Sequence, residues 1–525
     1  MSNLNNLKRK LSLLDLTLIG LGATFGSGWL FASSHVAAIA GPAGIISWII
    51  GAAAVFLLGL MYCELGAAMP TTGGILQYPI ISHGPMIGYM MGFITLIAYS
   101  SVVAIEVVAA RQYASAWLPS LTEVGSSSPT LLGWAVQFCL LCLFMLTNYF
   151  SIKSFALANN IISLFKFIVP LCVILVLFRH FNADNLTQSG FAPNGVEGIG
   201  AAISAGGIIF AYLGLTPIIS AASEVKNPQR NIPLALMLSI VCSAVIYLLL
   251  QIAFLGSLPT ELLTNGWSDL GSKLPLPFRD IALLLGAVWL ATIVVADAVV
   301  SPAGCGNIFM NSTSRIACGW AGSTTLLKGF AKVDPKSGIP RRALWLTFVL
   351  SVAWTLPFPS WEKLISVVSA ALVLSYAIAP ISVAALRKRQ FDRPFKVKAL
   401  FLLGPLSFFV ASMLVLWSGW NVISWLAGLQ ILIFVVQLIL KSIRGERATL
   451  SREIRSSLWL VVYYAGMMLL TWASGPGKVS ESIVISIVAI FSIGIYFWGA
   501  ASAYPLTEKA QTLSTPTSNF KAGTI

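Results

Sequence analysis

Fourteen long apolar runs follow one another along the chain and constrain its fold more strongly than any other feature. They lie at residues 15–40, 44–68, 86–117, 131–150, 156–180, 198–222, 232–256, 279–303, 342–357, 362–386, 399–419, 422–442, 458–474 and 482–503. A helix needs about 20 apolar residues to cross the hydrocarbon of a bilayer. Only 10% of the residues are charged, against about 25% in soluble domains. The sequence therefore predicts an all-α membrane protein with about fourteen transmembrane helices.

Lysine and arginine are distributed unevenly between the segments that connect these runs. With the N-terminus inside, the cytoplasmic segments carry 25 of the 32 Lys and Arg residues and the outer segments carry 5. An excess of basic residues on the cytoplasmic side is typical of membrane proteins. We therefore expect a multi-pass protein with both termini in the cytoplasm. The net charge of +14 then reflects membrane topology, and no nucleic-acid partner is expected.

The first and sixth runs contain residues that interrupt helices. The first has four glycines between residues 20 and 28, which favour an unwound stretch at 24–28. The sixth contains Gly214 and Pro217, and a proline removes a helix hydrogen bond. Interrupted backbone at membrane depth occurs only where protein buries it or where it lines a cavity. The alternative for the first run is a continuous helix whose glycines let a neighbouring helix come close.

The two interrupted runs are five runs apart, which predicts an internal repeat. An odd number of spans in each unit places two five-helix units in opposite membrane orientations. Secondary transporters use such inverted repeats, with the substrate site near the midplane where broken helices meet. The predicted domains are a cytoplasmic N-terminus at 1–14, a transport core of ten spans at 15–390, four additional spans at 391–503 and a disordered cytoplasmic tail at 504–525.

Sequence signals of the common enzyme classes are absent. The chain has no P-loop and no strand–turn–helix context for a nucleophile elbow. Its seven cysteines lack the paired spacing of a metal site. We therefore predict that the protein is not an enzyme and expect no metal or other cofactor.

Three motifs resemble those of the amino acid–polyamine–organocation superfamily of permeases. They are GSGWLF at 26–31, YCELGAAMPTTGG at 62–74 and SEVKNPQRNIPLAL at 223–236. The resemblance covers roughly residues 10–440. It implies a leucine-transporter-type fold with broken first and sixth helices, and proton-coupled uptake of an amino acid by alternating access in a bacterial inner membrane. The first motif is similar to that of bacterial aspartate–proton symporters, which favours aspartate, with another small amino acid as the alternative.

The resemblance also implies a substrate cradle at the two breaks. The expected substrate-binding residues are Thr24, Gly26, Ser27, Gly28, Phe210, Leu213 and Gly214. Backbone N–H groups at 26–28 would bind the substrate carboxylate, and the carbonyls of Thr24, Phe210 and Leu213 would bind its ammonium group. The opposite partial charges of helix ends favour this arrangement. Phe210 is either a gate over the substrate or an ordinary core aromatic.

Three ionisable residues within the runs are candidates for proton coupling, namely Lys166, Glu106 and Asp297. Ionisable groups inside a membrane are costly and usually functional. The superfamily places a lysine at the position of Lys166 in several proton-coupled members, so H⁺ is the expected coupling ion. Lys166 is alternatively a structural cation, and the two carboxylates are alternatively helix–helix contacts, including a pair between Asp297 and Lys166. Thr216 replaces an acidic residue that is common in the superfamily.

The second and third motifs predict an inner gate that does not touch the substrate. Its expected residues are Glu64, Glu224 and Arg230, joined through ion pairs and helix caps. The expected partners of the whole chain are an amino acid and the lipid bilayer, with the protein a monomer or a homodimer. Two other functions stay open: an antiporter that exchanges an amino acid for an amine, and an amino acid sensor that does not transport.

Overall fold

The computed structural model describes residues 11–70, 74–150, 166–187, 190–264, 266–323, 328–335, 337–388, 393–475 and 478–505. Within these ranges the regular structure is helical, and β-pairing is limited to two isolated bridges. The predicted all-α class is therefore confirmed. Ten described helices are long and apolar enough to cross a membrane, so the protein is a multi-pass membrane protein. The count of fourteen spans and the domain boundaries stay predictions.

Twenty-one α-helices are described. They are α1 (Leu13–Thr24), α2 (Gly28–Ala40), α3 (Gly44–Ala68), α4 (Gln77–His83), α5 (Pro85–Ala114), α6 (Leu131–Phe150), α7 (Lys166–Phe178), α8 (Gly195–Ser204), α9 (Ile208–Ala211), α10 (Leu215–Ser220), α11 (Pro228–Ser257), α12 (Leu270–Lys273), α13 (Pro277–Leu284), α14 (Val288–Ser323), α15 (Arg341–Thr355), α16 (Trp361–Tyr376), α17 (Ile378–Arg387), α18 (Leu400–Trp417), α19 (Trp420–Ile443), α20 (Arg447–Ala473) and α21 (Glu481–Ala501). The first ten residues of the fifth predicted run, 156–165, lie outside the described residues.

The first run folds as two helices, α1 and α2, with a break between them. Helix α1 begins with a capping box, in which Asp15 and Ser12 exchange side-chain and backbone hydrogen bonds, and it ends at Thr24. Helix α2 begins at Gly28, and residues 25–27 are not helical. The break therefore lies where the glycines predicted it.

The sixth run is interrupted twice, at 205–207 and at 212–214. Gly207 has a φ of +93°, a backbone conformation that glycine adopts at little cost. The second break precedes Pro217, which is the third residue of α10. Pro217 has no N–H to donate to the Leu213 carbonyl, so this break lies where Gly214 and Pro217 predicted it.

Helix α5 lies in the centre of the molecule, and almost all of its side chains are buried. It packs against α14, α15 and α16. The halves of the broken helices pair separately, since α1 packs against α10 and α2 packs against α8 and α9. These contacts bring both breaks to one place beside α5 and α14.

The short helix α4 is held by the last helix of the described chain. The imidazole of His83 is buried and lies 2.7 Å from Ser82 Oγ and 2.9 Å from the Gly499 carbonyl of α21. The Tyr504 N–H donates to the Ser82 carbonyl at 2.9 Å. Both polar atoms of the imidazole are thus paired with neighbouring groups, as in an interface histidine.

We expect Gly207→Ala to lower the stability of the protein by about 1–2 kcal/mol, because an L-residue is disfavoured at positive φ. The added methyl group would also lie 2.9 Å from the Trp361 ring. Thermal melting of the purified protein in detergent measures the effect. The control is Gly428→Ala in α19, where a Cβ meets no atom within 4 Å and alanine favours the helix. Equal melting temperatures for the two variants would contradict the expectation.

Candidate functional site

The end of α1 carries backbone carbonyls that the helix itself leaves without partners. Lys166 Nζ of α7 donates to the Gly22 carbonyl at 2.5 Å. Cys305 Sγ of α14 donates to the Ala23 carbonyl at 3.0 Å. The Tyr247 hydroxyl of α11 donates to the Thr24 carbonyl at 2.7 Å, the carbonyl predicted to bind a substrate ammonium group. Three separate helices therefore complete the hydrogen bonding of this helix end.

The start of α2 carries free backbone N–H groups, and therefore a partial positive charge, in contrast to the carbonyls at the end of α1. The Ser27 N–H donates to Glu106 Oε2 of α5 at 2.8 Å, and both residues are fully buried. A carboxylate is a favourable partner for the N-terminus of a helix. The Glu106 carboxylate thus occupies a backbone N–H that the sequence predicted for the substrate carboxylate.

Glycines allow the groups around the breaks to come close. A Cβ at Gly26 would overlap Glu106 Oε1 and would lie 2.8 Å from Cys305 Sγ. A Cβ at Gly28 would lie 3.0 Å from the Ala211 backbone and 3.4 Å from the Phe210 ring. Any larger residue at either position would push α5, α14 or α9 away from the first break.

The two breaks meet directly. A Cβ at Gly214 would lie 2.7 Å from the Gly20 carbonyl and would overlap Thr24 Oγ1. The Phe210 carbonyl, predicted to bind the substrate ammonium group, accepts the Leu213 N–H at 3.2 Å. The predicted cradle residues on the two broken runs are therefore brought together, while their contact with a substrate stays a prediction.

Lys166, Glu106 and Asp297 lie near one another around the first break. Lys166 interacts electrostatically with Glu106 and Asp297, and the exposed fraction of each side chain is 4% or less. Asp297 Oδ1 accepts a hydrogen bond from Ser301 Oγ at 2.8 Å. No ion pair joins Asp297 to Lys166 among the described residues, so the direct pairing weighed from sequence is not observed.

Trp361 covers the first break and was missed by the sequence analysis. Its indole Nε1 donates to Ser27 Oγ at 3.0 Å. Its ring stacks on Phe31 with centroids 5.0 Å apart and meets the edge of Phe210 at 6.2 Å. Phe210 therefore belongs to a cluster of aromatic side chains above Ser27, a position suited to a gate.

Cys305 and Tyr247 were also missed as site residues. Tyr247 lies in an apolar run and Cys305 two residues after the end of another, neither of them in a motif. Only the fold shows that their polar atoms point at the end of α1. The available signal is weak: a buried tyrosine hydroxyl needs a hydrogen-bond partner. That rule does not indicate which partner.

A cluster of neutral hydroxyl groups surrounds Thr216 of α10. The Thr216 hydroxyl is hydrogen bonded to Tyr99 of α5 and to Tyr376 of α16 at 3.1 Å. The two tyrosine hydroxyls lie 3.1 Å apart, and all three side chains are buried. Where the superfamily often has an acid, this chain has a network of neutral hydroxyls.

Glu64 forms a bidentate ion pair in the predicted gate. Arg387 of α17 donates to Glu64 Oε1 at 2.8 Å and to Oε2 at 2.6 Å, and the Val397 N–H donates to Oε2 at 2.8 Å. Paired hydrogen bonds between arginine and carboxylate are strong and geometrically specific. The pair joins α3 to α17 and to the segment before α18.

Among the described residues, the predicted gate residues Glu224 and Arg230 form no ion pair with each other, and their part in a gate stays a prediction. Glu224 pairs with Arg315 of α14, and its backbone carbonyl accepts the Leu11 N–H at 3.0 Å. Arg230 is exposed and makes no ion pair with the described residues. Arg230 follows Asn227 at the start of α11, where its long side chain extends from the surface. Arg315 and Arg387 provide the cations of this region.

We expect Arg387→Ala to destabilise the protein by about 3 kcal/mol, because it leaves the Glu64 carboxylate buried without its cation. The exposed fraction of Glu64 is only 2%. Thermal or chemical unfolding in detergent measures the loss. Arg230→Ala is the matched control and should change stability by less than about 0.5 kcal/mol. An equal loss of stability in the two variants would show that the ion pair between Arg387 and Glu64 does not stabilise the protein specifically.

The chain is similar to known proteins over nearly its whole length. A family model described as "Amino acid permease" matches residues 11–470. The chain is 51% identical over 512 residues to the aspartate–proton symporter of Bacillus subtilis, covering 96% of this chain and 98% of the relative. It is 35% identical over 519 residues to the glutamate/serine transporter AimA of the same organism, with 95% of each chain covered. It is 27% identical to the methylthioribose transporter of that organism, over 74% of this chain and 83% of the relative. The chain thus belongs to the amino acid permease family of membrane transporters, and it is not an enzyme.

Proposed function

We propose that this protein is a secondary active transporter that takes up aspartate together with protons by alternating access. The observation that carries the proposal is the Glu106 carboxylate on the Ser27 N–H at 2.8 Å, a backbone group suited to a substrate carboxylate. The 51% identity to an aspartate–proton symporter supports the choice of substrate and of coupling ion. The relative at 35% identity is named for glutamate and serine, so another small amino acid is the alternative substrate.

The proposed architecture has fourteen spans, with two five-span units of opposite orientation. The first unit contains α1 to α7 and the second contains α8 to α17. Each unit starts with the interrupted run, and the separate pairing of α1 with α10 and of α2 with α9 supports an antiparallel arrangement of the broken helices. Leu11, at the start of the described chain, pairs with Glu224 and Lys226, and Tyr504, near its end, pairs with Ser82 of α4. The turn at Gly74–Leu76 contacts both α4 and α10, which supports termini on one side, proposed to be the cytoplasm.

Competition for the Ser27 N–H provides a physical basis for proton coupling. A substrate carboxylate and an ionised Glu106 would repel each other at one hydrogen-bond donor. Protonation of Glu106 removes its negative charge and weakens its hydrogen bond with the Ser27 N–H. Substrate binding therefore favours the protonated form, and by reciprocity protonation favours substrate binding. Proton and substrate then cross the membrane together.

Charge balance in the site supports the same conclusion. Lys166 contributes +1, and Glu106 and Asp297 contribute −1 each, which leaves a formal charge of −1 around the break. Aspartate adds a further −1, and one bound proton restores the original value. The proton thus compensates the charge of an acidic substrate in a region of low dielectric, where uncompensated charge is costly.

Lys166 is proposed as a second coupling group. Its ammonium group lies at the C-terminal end of α1, where a positive charge is stabilised by the helix dipole. Loss of its proton would weaken the contact with the Gly22 carbonyl and loosen α1 from α7. The coupling ion in this scheme is H⁺, no cofactor takes part, and the transporter acts as a monomer or a homodimer.

We expect Glu106→Gln to bind aspartate without the pH dependence of the wild type. Glutamine has the same size and keeps an acceptor oxygen for the Ser27 N–H, but it cannot ionise. The aspartate affinity of the wild type should therefore rise as the pH falls, by up to about tenfold per pH unit, whereas that of the variant should stay constant. Aspartate binding from pH 5 to 8 and uptake into proteoliposomes with an imposed pH gradient measure the effect. Gradient-driven accumulation by Glu106→Gln equal to that of the wild type would exclude Glu106 as a coupling group.

We expect Lys166→Gln to separate the coupling role of the lysine from its structural role. Glutamine can still donate a hydrogen bond to the Gly22 carbonyl, whereas Lys166→Ala removes the donor altogether. If Lys166 carries protons, Lys166→Gln keeps aspartate binding and melting temperature but loses gradient-driven accumulation. Accumulation retained in Lys166→Gln and lost with folding in Lys166→Ala would identify a structural lysine, and Asp297→Asn would then be tested.

The same vesicles distinguish the competing functions. An antiporter would take up labelled amino acid only when an amine or a second amino acid is loaded inside, even with a pH gradient imposed. A sensor would bind aspartate without any uptake. Accumulation driven by the gradient into empty vesicles is the outcome that the symport proposal requires.

A further inference from the structure

A cavity of about 410 Å³ opens between α6 and α15 and shares no residue with the site at the helix breaks. Its lining comes from one face of α6 and from the last turn of α15 with the residue that follows. The lining residues are Trp134, Gln137, Phe138, Leu141, Val352, Thr355 and Leu356. This volume lies within the range of small-molecule sites, about 300–1,000 Å³.

Gln137 is the polar group that makes this cavity more than a gap between helices. Its exposed fraction is 1%, and neither its amide nitrogen nor its amide oxygen has a hydrogen-bond partner among the described residues. A buried amide without partners is costly. The hydrocarbon tails of lipids cannot form hydrogen bonds with this amide. An occupant that carries a polar group can form them.

The ends of the two helices place the cavity near the membrane surface. Gln137 lies six residues after the start of α6 at Leu131, or about 9 Å along the helix axis. Helix α15 ends at Thr355, so the chain leaves the bundle at the level of the cavity. Trp134 is only partly buried, as is common for tryptophans at the membrane interface.

The lining determines the chemical class of the occupant. Five of the seven lining residues are apolar or aromatic, and none is charged. A free carboxylate or phosphate would find no cation here. A neutral ester suits the site, because its carbonyl can accept the Gln137 N–H while the attached chain fills the apolar cleft.

We propose that this cavity binds a phospholipid, with one acyl chain between α6 and α15 and a glycerol ester at the Gln137 amide. The topology proposed above places the lipid in the outer leaflet. Phe138 and Leu356, exposed by 50% and 64%, border the cavity on the lipid side and leave its mouth open to the bilayer. The Thr355 hydroxyl donates to the Val352 carbonyl at 2.7 Å and keeps its oxygen as an acceptor for a donor in the headgroup, such as the ammonium group of phosphatidylethanolamine.

Photocrosslinking of the full-length protein in nanodiscs tests this proposal. The probe is a phosphatidylethanolamine with a diazirine on one acyl chain, and mass spectrometry locates the labelled peptides. We expect label on α6 around residues 134–141 and on α15 around 352–356. Leu141→Trp, which fills the cleft, should lower this label at least about threefold. Leu146→Trp is the matched control, because Leu146 is exposed on the same helix and does not line the cavity.

Equal labelling of the two tryptophan variants would overturn the proposal. So would stronger labelling by a diazirine fatty acid that an excess of phospholipid does not displace, since the occupant would then be a free acid. Bismaleimide crosslinking between copies at Cys139, which is exposed on α6, would overturn it too if it occurred in the same nanodiscs and excluded the lipid label.

Gln137→Leu provides a second, independent test that does not depend on labelling. If a lipid satisfies the amide, the leucine variant melts higher than the wild type only in delipidated detergent, and added phospholipid stabilises it less than the wild type. An equal gain in detergent and in lipid would show that the amide has no partner in the membrane. Neither test uses transport activity, so their failure is distinct from failure of the proposed aspartate symport.

Discussion

The hydrogen bonds that satisfy the backbone groups between Gly22 and Gly28 are the constraint on which the structure depends. No water reaches a buried backbone group in the membrane interior, so each free carbonyl and N–H must find a partner in the protein. The carbonyls that end α1 are met by α7, α11 and α14, and the N–H that starts α2 is met by α5. The short break between α1 and α2 therefore fixes the positions of four other helices, α5, α7, α11 and α14, through these hydrogen bonds.

The same break separates opposite charges by a few residues. The ammonium group of Lys166 sits at the end of one helix and the carboxylate of Glu106 at the start of the next, each at the pole that stabilises it. A change in the charge of either group alters both its own helix and the contact between the helices. In the proposed mechanism, these contacts link substrate binding and protonation to the positions of α1 and α2.

Sequence predicted the parts of this site that glycine and charge reveal, and missed those that depend on side-chain direction. Four glycines located the first break, and Lys166 and Glu106 stood out because ionisable residues are rare in apolar runs. Trp361 lies 334 residues from Ser27, and nothing in an apolar run indicates which face turns to a distant partner. Gly214 and Pro217 located one break of the sixth run, whereas its other break, at 205–207, was not predicted. Arg230 was chosen from its motif, whereas the cations that pair with the gate carboxylates, Arg315 and Arg387, lie outside that motif.

The contact between α4 and the last helix has a consequence for the biosynthesis of the protein. The His83 imidazole and the Gly499 carbonyl are 416 residues apart in the chain. Their contact nevertheless holds α4, which is synthesised before most of the other helices. A ribosome adding roughly 5–20 residues per second needs between about 20 and 80 seconds to make that stretch. Throughout this interval α4 lacks the partner that pairs with its buried histidine. Insertion of α21 is therefore the event that gives the buried histidine of α4 its partner.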